Sequence, residues 1–161
     1  MLEGVTLRNI DKILLISIFF LFITIEVSAG GGIKWYSFNE GLLIAKKQNK
    51  FMLVDFYTDW CGWCKKMDAE TYKNSEIVDY ITKNFIAVKL NPEKDSAVDF
   101  QGKNYPAAQF AQAAGVNGYP ATGFFDYNGD FLGTLPGYMD SGKFMNLLKY
   151  IVNKEYEKEQ K

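Results

Sequence analysis

The strongest constraint on this chain is a junction between an apolar run and a pair of cysteines. The run FMLVDFY (residues 51–57) is followed, after Thr58, Asp59 and Trp60, by the only two cysteines, Cys61 and Cys64, with Gly62 and Trp63 between them. A short apolar run bounded by polar residues is the pattern of a strand buried on both faces of an α/β sheet. Cysteines placed where such a strand gives way to a helix have three uses: a structural staple, a metal clip or a redox pair. A structural zinc needs a full tetrahedral set of Cys or His ligands, and this chain has no histidine and no third cysteine. A disulfide across two intervening residues closes so short a loop that it adds little by loop closure. A redox dithiol needs both sulfurs at a helix N-terminus, which lowers the first thiol's pKa from its free value of about 8.5. Cys61 and Cys64 meet that demand.

The same placement makes the sulfurs unequal. Cys61, expected at the exposed helix terminus, attacks a partner disulfide; Cys64, one turn in and more shielded, attacks the mixed disulfide and releases the partner. A buried thiol has a raised pKa, so this second step needs a proton acceptor. Asp55, the one polar residue inside the apolar run, is the candidate. A carboxylate among Leu53, Val54 and Phe56 is costly unless paired, and Lys89, inside the neighbouring run FIAVKL, is its expected partner. The alternative is an Asp55 that points outward at a strand end.

The remaining pattern is helix, strand, helix, strand, helix, strand, strand, helix. SFNEGLLIAKKQNK (residues 37–50) reads as a first helix with a basic end. A helix begins at the cysteines. Asn74 or Ser75 then caps a second helical segment whose Ile77, Val78, Ile81 and Phe85 fall at helical spacing. FIAVKL (residues 85–90) is another buried strand, and residues 91–104, polar and charged, read as a loop or partly ordered insertion, a solvated connection with a lid or partner-specific loop as the alternative. Pro106 suits the first residue of a helix ending at Gly115. Asn128-Gly129 signals a two-residue hairpin. Phe144, Leu147, Leu148, Ile151 and Val152 mark a last helix packed on a sheet. Parallel crossovers plus a hairpin give an α/β fold with a mixed sheet. Phe51, Phe56, Phe85, Phe124 and Phe144 fit core positions. Of the two tryptophans at the cysteines, Trp60 is expected beneath the loop and Trp63 exposed, a docking surface made of both being the alternative.

Arg8 and Lys12 precede the apolar run ILLISIFFLFITI (residues 13–25), followed by Val27, Ser28 and Ala29. The run is short of the roughly 20 residues that span a bilayer, and the small residues suit cleavage after Ala29. Residues 1–29 are therefore expected to be a signal peptide, an uncleaved anchor being the alternative, with residues 30–161 forming one domain in an oxidising, periplasmic or extracellular setting. Without residues 1–29 the chain carries 16 basic and 16 acidic residues. Such balance argues against nucleic acid or an anionic membrane surface as a partner.

These residues carry a family resemblance. VDFYTDWCGWCKKM resembles the active-site segment of the thioredoxin superfamily, IAVKLN its following strand, and GVNGYPATGFFDYNG its cis-proline segment before a hairpin. The combination spans about residues 33–153 and is far more specific than a C-x-x-C alone. The resemblance implies the thioredoxin fold, a mixed central β-sheet flanked by helices. It implies Cys61 as nucleophile, Cys64 as resolving cysteine, Asp55 and Lys89 as the buried acid and its partner, and Pro120 as the cis-proline beside the dithiol. Tyr119 would present its backbone to an extended substrate segment, bordered by Trp60, Gly62 and Trp63. DAETYKNSEIVDYITKNFIAVKLN resembles an exported bacterial subgroup that includes domains relaying electrons across the inner membrane. Expected partners are protein thiols and disulfides and a membrane-bound electron donor, for a monomer that needs no cofactor because the dithiol is itself the redox couple. The chain departs from the commoner family patterns in having Gly62-Trp63 between the cysteines, without proline or histidine, and Ala69 where a proline is often found.

Overall fold

The computed structural model describes residues 31–158; the expected leader, residues 1–29, lies outside the described residues. The order of elements is β1 (Trp35–Tyr36), α1 (Phe38–Gln48), β2 (Phe51–Phe56), α2 (Gly62–Glu70), α3 (Ser75–Asn84), β3 (Phe85–Leu90), β4 (Val98–Phe100), β5 (Lys103–Tyr105), α4 (Ala107–Ala113), β6 (Ala121–Phe125), β7 (Phe131–Pro136) and α5 (Ser141–Val152), closed by a 3-10 turn at Glu155–Glu157. Five strands form one mixed sheet in the order β1-β3-β2-β6-β7, parallel across β1, β3 and β2 and antiparallel across β2, β6 and β7.

β2 is buried along its whole length, as a central strand covered on both faces must be. Alternation along the strands then sorts the core into two layers. Met52, Val54 and Phe56, with Ile86, Val88 and Leu90, face α1 and α4 through Phe38, Ala45, Phe110 and Ala111. Phe51, Leu53, Phe85, Ala87 and Phe124 face α2, α3 and α5 through Met67, Ile77, Ile81, Phe144 and Leu148. Asp55, Lys89 and Thr122 share the parity of this second set, so all three fall on the face covered by the cysteine helix.

Local chemistry sets the helix ends. In α1 the Glu40 carboxylate accepts from the Ser37 hydroxyl at 2.8 Å and its backbone N–H at 3.4 Å, and Asn49 ends the helix in the left-handed region at φ 51°. Asn74 caps α3, its side-chain oxygen accepting from the Ile77 N–H at 3.2 Å. α1 lies so close to the sheet that a Cβ on Gly41 would run into Val88 Cγ2.

β1, which the sequence pattern did not anticipate, is two residues long, too short to leave a periodic signal. Three expectations change. Residues 91–104 are the partly ordered insertion rather than a solvated connection: Val98–Phe100 and Lys103–Tyr105 pair into a second, two-stranded sheet, and Phe100 packs edge-on against Phe38, Phe110 and Phe125. Its turn is Gln101-Gly102, with both residues at positive φ, 50° and 74°, as a tight two-residue hairpin turn requires. The Asn128-Gly129 connection, in contrast, spans the five residues 126–130 between β6 and β7. There the Asp126 carboxylate accepts from the backbone N–H groups of Asn128 and Asp130, both at 2.8 Å, so a side chain shapes a wider loop. Pro106 is the N-cap of α4, one residue outside the helix it was expected to open.

Candidate active site

The chain leaves β2 at Phe56, turns through Thr58, whose carbonyl accepts from the Cys61 N–H at 3.2 Å, and enters α2 with Cys61 as its N-cap. The two cysteines are joined as a disulfide, with their Cα atoms 5.3 Å apart. Cys61 Sγ also accepts from the Cys64 N–H at 3.0 Å, so the sulfur takes one of the otherwise unpaired amide donors of the first helical turn. The expected contrast in exposure is absent: both cysteines are 4% exposed. Capping turns the Cys61 sulfur inward against its own helix, and the exposed surface at this end belongs to the tryptophans.

Beneath α2, strand register assembles the polar groups. Asp55 lies opposite Lys89 across the parallel β2–β3 pair and opposite Thr122 across the antiparallel β2–β6 pair, forming one polar row in an apolar layer. Asp55 does not point outward: it is 2% exposed, with Oδ2 at 3.2 Å from Lys89 Nζ. Lys89 is shared with a second carboxylate, Asp68 on α2, at 2.6 and 2.8 Å, and its ammonium lies 5.1, 4.8 and 6.0 Å from the ring centroids of Trp35, Tyr57 and Tyr72. Burial pushes the Asp55 carboxyl up to about 6, with Lys89 opposing the rise and Asp68 adding to it. Burial pulls Lys89 down, but the two carboxylates more than reverse that and leave it above its ordinary value. Asp68 escaped the sequence reading because nothing nearby in sequence shows that an ammonium from a strand 21 residues away reaches it. The available signal was its position four residues after Cys64, on the same helical face.

Around the cysteines the surface is aromatic. Trp60 is 67% and Trp63 58% exposed, so Trp60 is not packed beneath the loop. The Trp60 indole N–H donates to both oxygens of Glu93 at 3.0 and 3.1 Å, which holds the ring on the surface, edge-on to Tyr119 at 6.0 Å. Asp59 is tied to the same segment, accepting from Asn91 at 3.3 Å and pairing with Lys94. Residues 91–94 thus brace the cysteine loop. On the other side Trp63 lies over Tyr138 at 5.4 Å, with Lys66 Nζ 5.1 Å from each ring. Gly62 is exposed, with open space where a Cβ would stand. The Tyr119–Pro120 peptide is cis. Ala121 pairs with Phe56, so Pro120 sits at the end of the sheet from which the cysteine loop departs. Among the described residues no cluster of His, Cys, Asp and Glu is placed to hold a metal, and no helix is long and apolar enough to cross a membrane.

A family model described as a thioredoxin-like domain matches residues 38–152. The thiol:disulfide interchange protein DsbD of Vibrio vulnificus is 27% identical over 114 residues, covering 70% of this chain and 18% of that protein. A protein disulfide-isomerase of Drosophila melanogaster is 33% identical over 122 residues, covering 71% of this chain and 22% of that protein. This chain therefore matches about a fifth of each relative's length. Among solved structures, a thioredoxin-fold protein from Helicobacter pylori superimposes with a TM-score of 0.62 at 28% identity, over 68% of this chain and 73% of that one.

Proposed function

Because the chain belongs to the thioredoxin-like domain family, we propose that it is a thiol–disulfide oxidoreductase that acts on protein disulfides through Cys61 and Cys64, as a reductase or electron carrier outside the cytoplasm. The observation that carries the reading is the disulfide at the N-terminus of α2 with a buried acid, Asp55, in the polar row beneath that helix. In the reduced protein, the helix N-terminus favours the Cys61 thiolate, which attacks one sulfur of a partner disulfide. A mixed disulfide forms, and the partner's other sulfur leaves as a thiolate that takes a proton from water. Cys64 gives its proton to Asp55, attacks Cys61 Sγ, and closes the Cys61–Cys64 bond as the partner's second sulfur leaves. Two electrons pass from the dithiol to the partner. A carboxyl titrating near 6 is largely ionised at neutral pH yet basic enough to accept that proton. Lys89 holds the resulting charge balance.

The partner's chain lies along the Tyr119-Pro120 backbone, with Trp60, Gly62 and Trp63 as the surface it meets. Trp63 stands between the cysteines where a histidine cation would stabilise the thiolate, and the lack of that cation favours reduction over strong oxidation. Residues 1–29 act as an export signal ahead of a domain spanning 30–161, supported by the apolar run at 13–25. The working form is a monomer served by a membrane-bound electron donor.

The test uses the full chain with insulin and dithiothreitol. The parent accelerates precipitation of reduced insulin and Cys61→Ser falls to the uncatalysed rate; a Cys61→Ser variant as active as the parent overturns the redox reading. Equilibration with glutathione gives the direction: a potential of about -270 mV supports a reductase, and about -120 mV an oxidase.

A further inference from the structure

Beneath the cysteine helix, three neighbouring buried oxygens lack a hydrogen-bond partner. Asp55 Oδ1, the Tyr72 hydroxyl and the Thr122 hydroxyl are each enclosed without a hydrogen bond of ordinary geometry to any described residue. They are neighbours: Thr122 is opposite Asp55 in the sheet, and the Tyr72 hydroxyl lies close enough to both Asp55 and Thr122 for each to shift its titration. Tyr72 reaches this place from the turn after α2. Its backbone N–H bonds the Met67 carbonyl at 3.0 Å, and its ring is fixed edge-on by Trp35 at 4.9 Å and Phe144 at 5.5 Å. Two hydroxyls and one carboxylate satisfy one another when Thr122 donates to Tyr72 and Tyr72 donates to Asp55, the order in which Tyr72 stands between the other two, whereas three isolated buried oxygens are strongly disfavoured.

We propose that Tyr72 is a positioning residue for the proton acceptor: its hydroxyl, backed by Thr122, donates to the Asp55 carboxylate and sets how readily Asp55 holds the proton received from Cys64. The proposal rests on the exchange reading above. It supplies the second carboxylate oxygen with a neutral donor while Lys89 serves the first. Other charged or titratable groups around Asp55 are Lys89 from β3, Asp68 from α2 and Tyr57 just beyond β2. None of them donates a neutral hydrogen bond to Oδ1. Electrostatically, the Tyr72 hydroxyl lowers the Asp55 carboxyl against the rise caused by burial.

The experiment follows the Asp55 carboxyl carbon by NMR in the oxidised full chain labelled with carboxyl-13C aspartate, from pH 4 to 8, the signal being assigned by its loss in Asp55→Asn. Tyr72→Phe keeps the ring contacts and removes only the donor. The titration point is expected to rise by about one pH unit, and the acid limb of the insulin-reduction profile to rise with it. Thr122→Val, which weakens the donor without removing it, gives a smaller rise in the same direction and carries the test alone if Tyr72→Phe does not fold. A titration point unmoved or lowered in the folded variant overturns the proposal. The NMR titration needs no activity, so it fails or succeeds independently of Cys61→Ser, whose retained activity would sink the exchange reading instead.

Discussion

Asp55 is a charge that folding keeps out of water, and the thermodynamic sign follows from its direction of shift. Its carboxyl titrates near 6 in the folded protein and near 3.9 unfolded, so the native state binds more protons between these values. The contribution is fully present below about pH 4 and is lost as pH rises through about 6. Asp55→Asn removes this dependence. In urea unfolding of the oxidised protein, the variant is expected to be more stable than the parent by on the order of 2 kcal/mol at pH 8, with the gap closing at pH 4. On the proposed function the same change should slow release of the partner from the mixed disulfide, since Asp55 is the carboxylate that takes the Cys64 proton and Asp68 is held by Lys89. Trp60 is exposed and pinned by Glu93, so Trp60→Ala should raise KM for a protein disulfide several-fold and leave kcat within about twofold, as steady-state kinetics will show.

At the scale of elements, what could be read from sequence was what local periodicity or capping encodes. β2 and β3 announce themselves as apolar runs, Asn74 caps α3, and Phe144, Leu148 and Ile151 face the sheet from α5. The parts that could not be read depend on partners distant in sequence. Phe100 is one aromatic in a polar stretch until Phe38 and Phe125 meet it; Trp60 reads as a residue to bury until Glu93 offers its indole an acceptor. Asn128-Gly129 has the composition of a tight turn, but the Asp126 side chain competes for the same amides and widens it. Layer spacing supplies a prediction. In Gly41→Ala the gain in helix propensity, about 1 kcal/mol, is opposed by collision with Val88. Overpacking of this kind costs typically 1–3 kcal/mol; thermal melting should show a net loss of stability although the site is helical.

Over the whole molecule, charge is almost balanced, with a formal net charge of -1, so long-range steering of partners is weak. The rate of exchange with a protein disulfide should change by less than about twofold between roughly 20 and 500 mM salt in stopped-flow measurements. On the proposed function, recognition then falls to the short-range aromatic surface around the disulfide. The pairing of Asp55 with Lys89 also bears on how the sheet chooses its alignment. Every side chain along β2 and β3 other than these two is apolar, and a run of apolar residues buried on both faces tolerates a one-residue slip better than a strand with a wet side does. Opposite charges facing one another remove that tolerance: a slip by one residue sends Lys89 to the far layer among Met52, Val54 and Phe56 and leaves Asp55 alone. The ion pair beneath the cysteine helix is in this sense also a proofreader of strand alignment, admitting one register of the central sheet and penalising its neighbours.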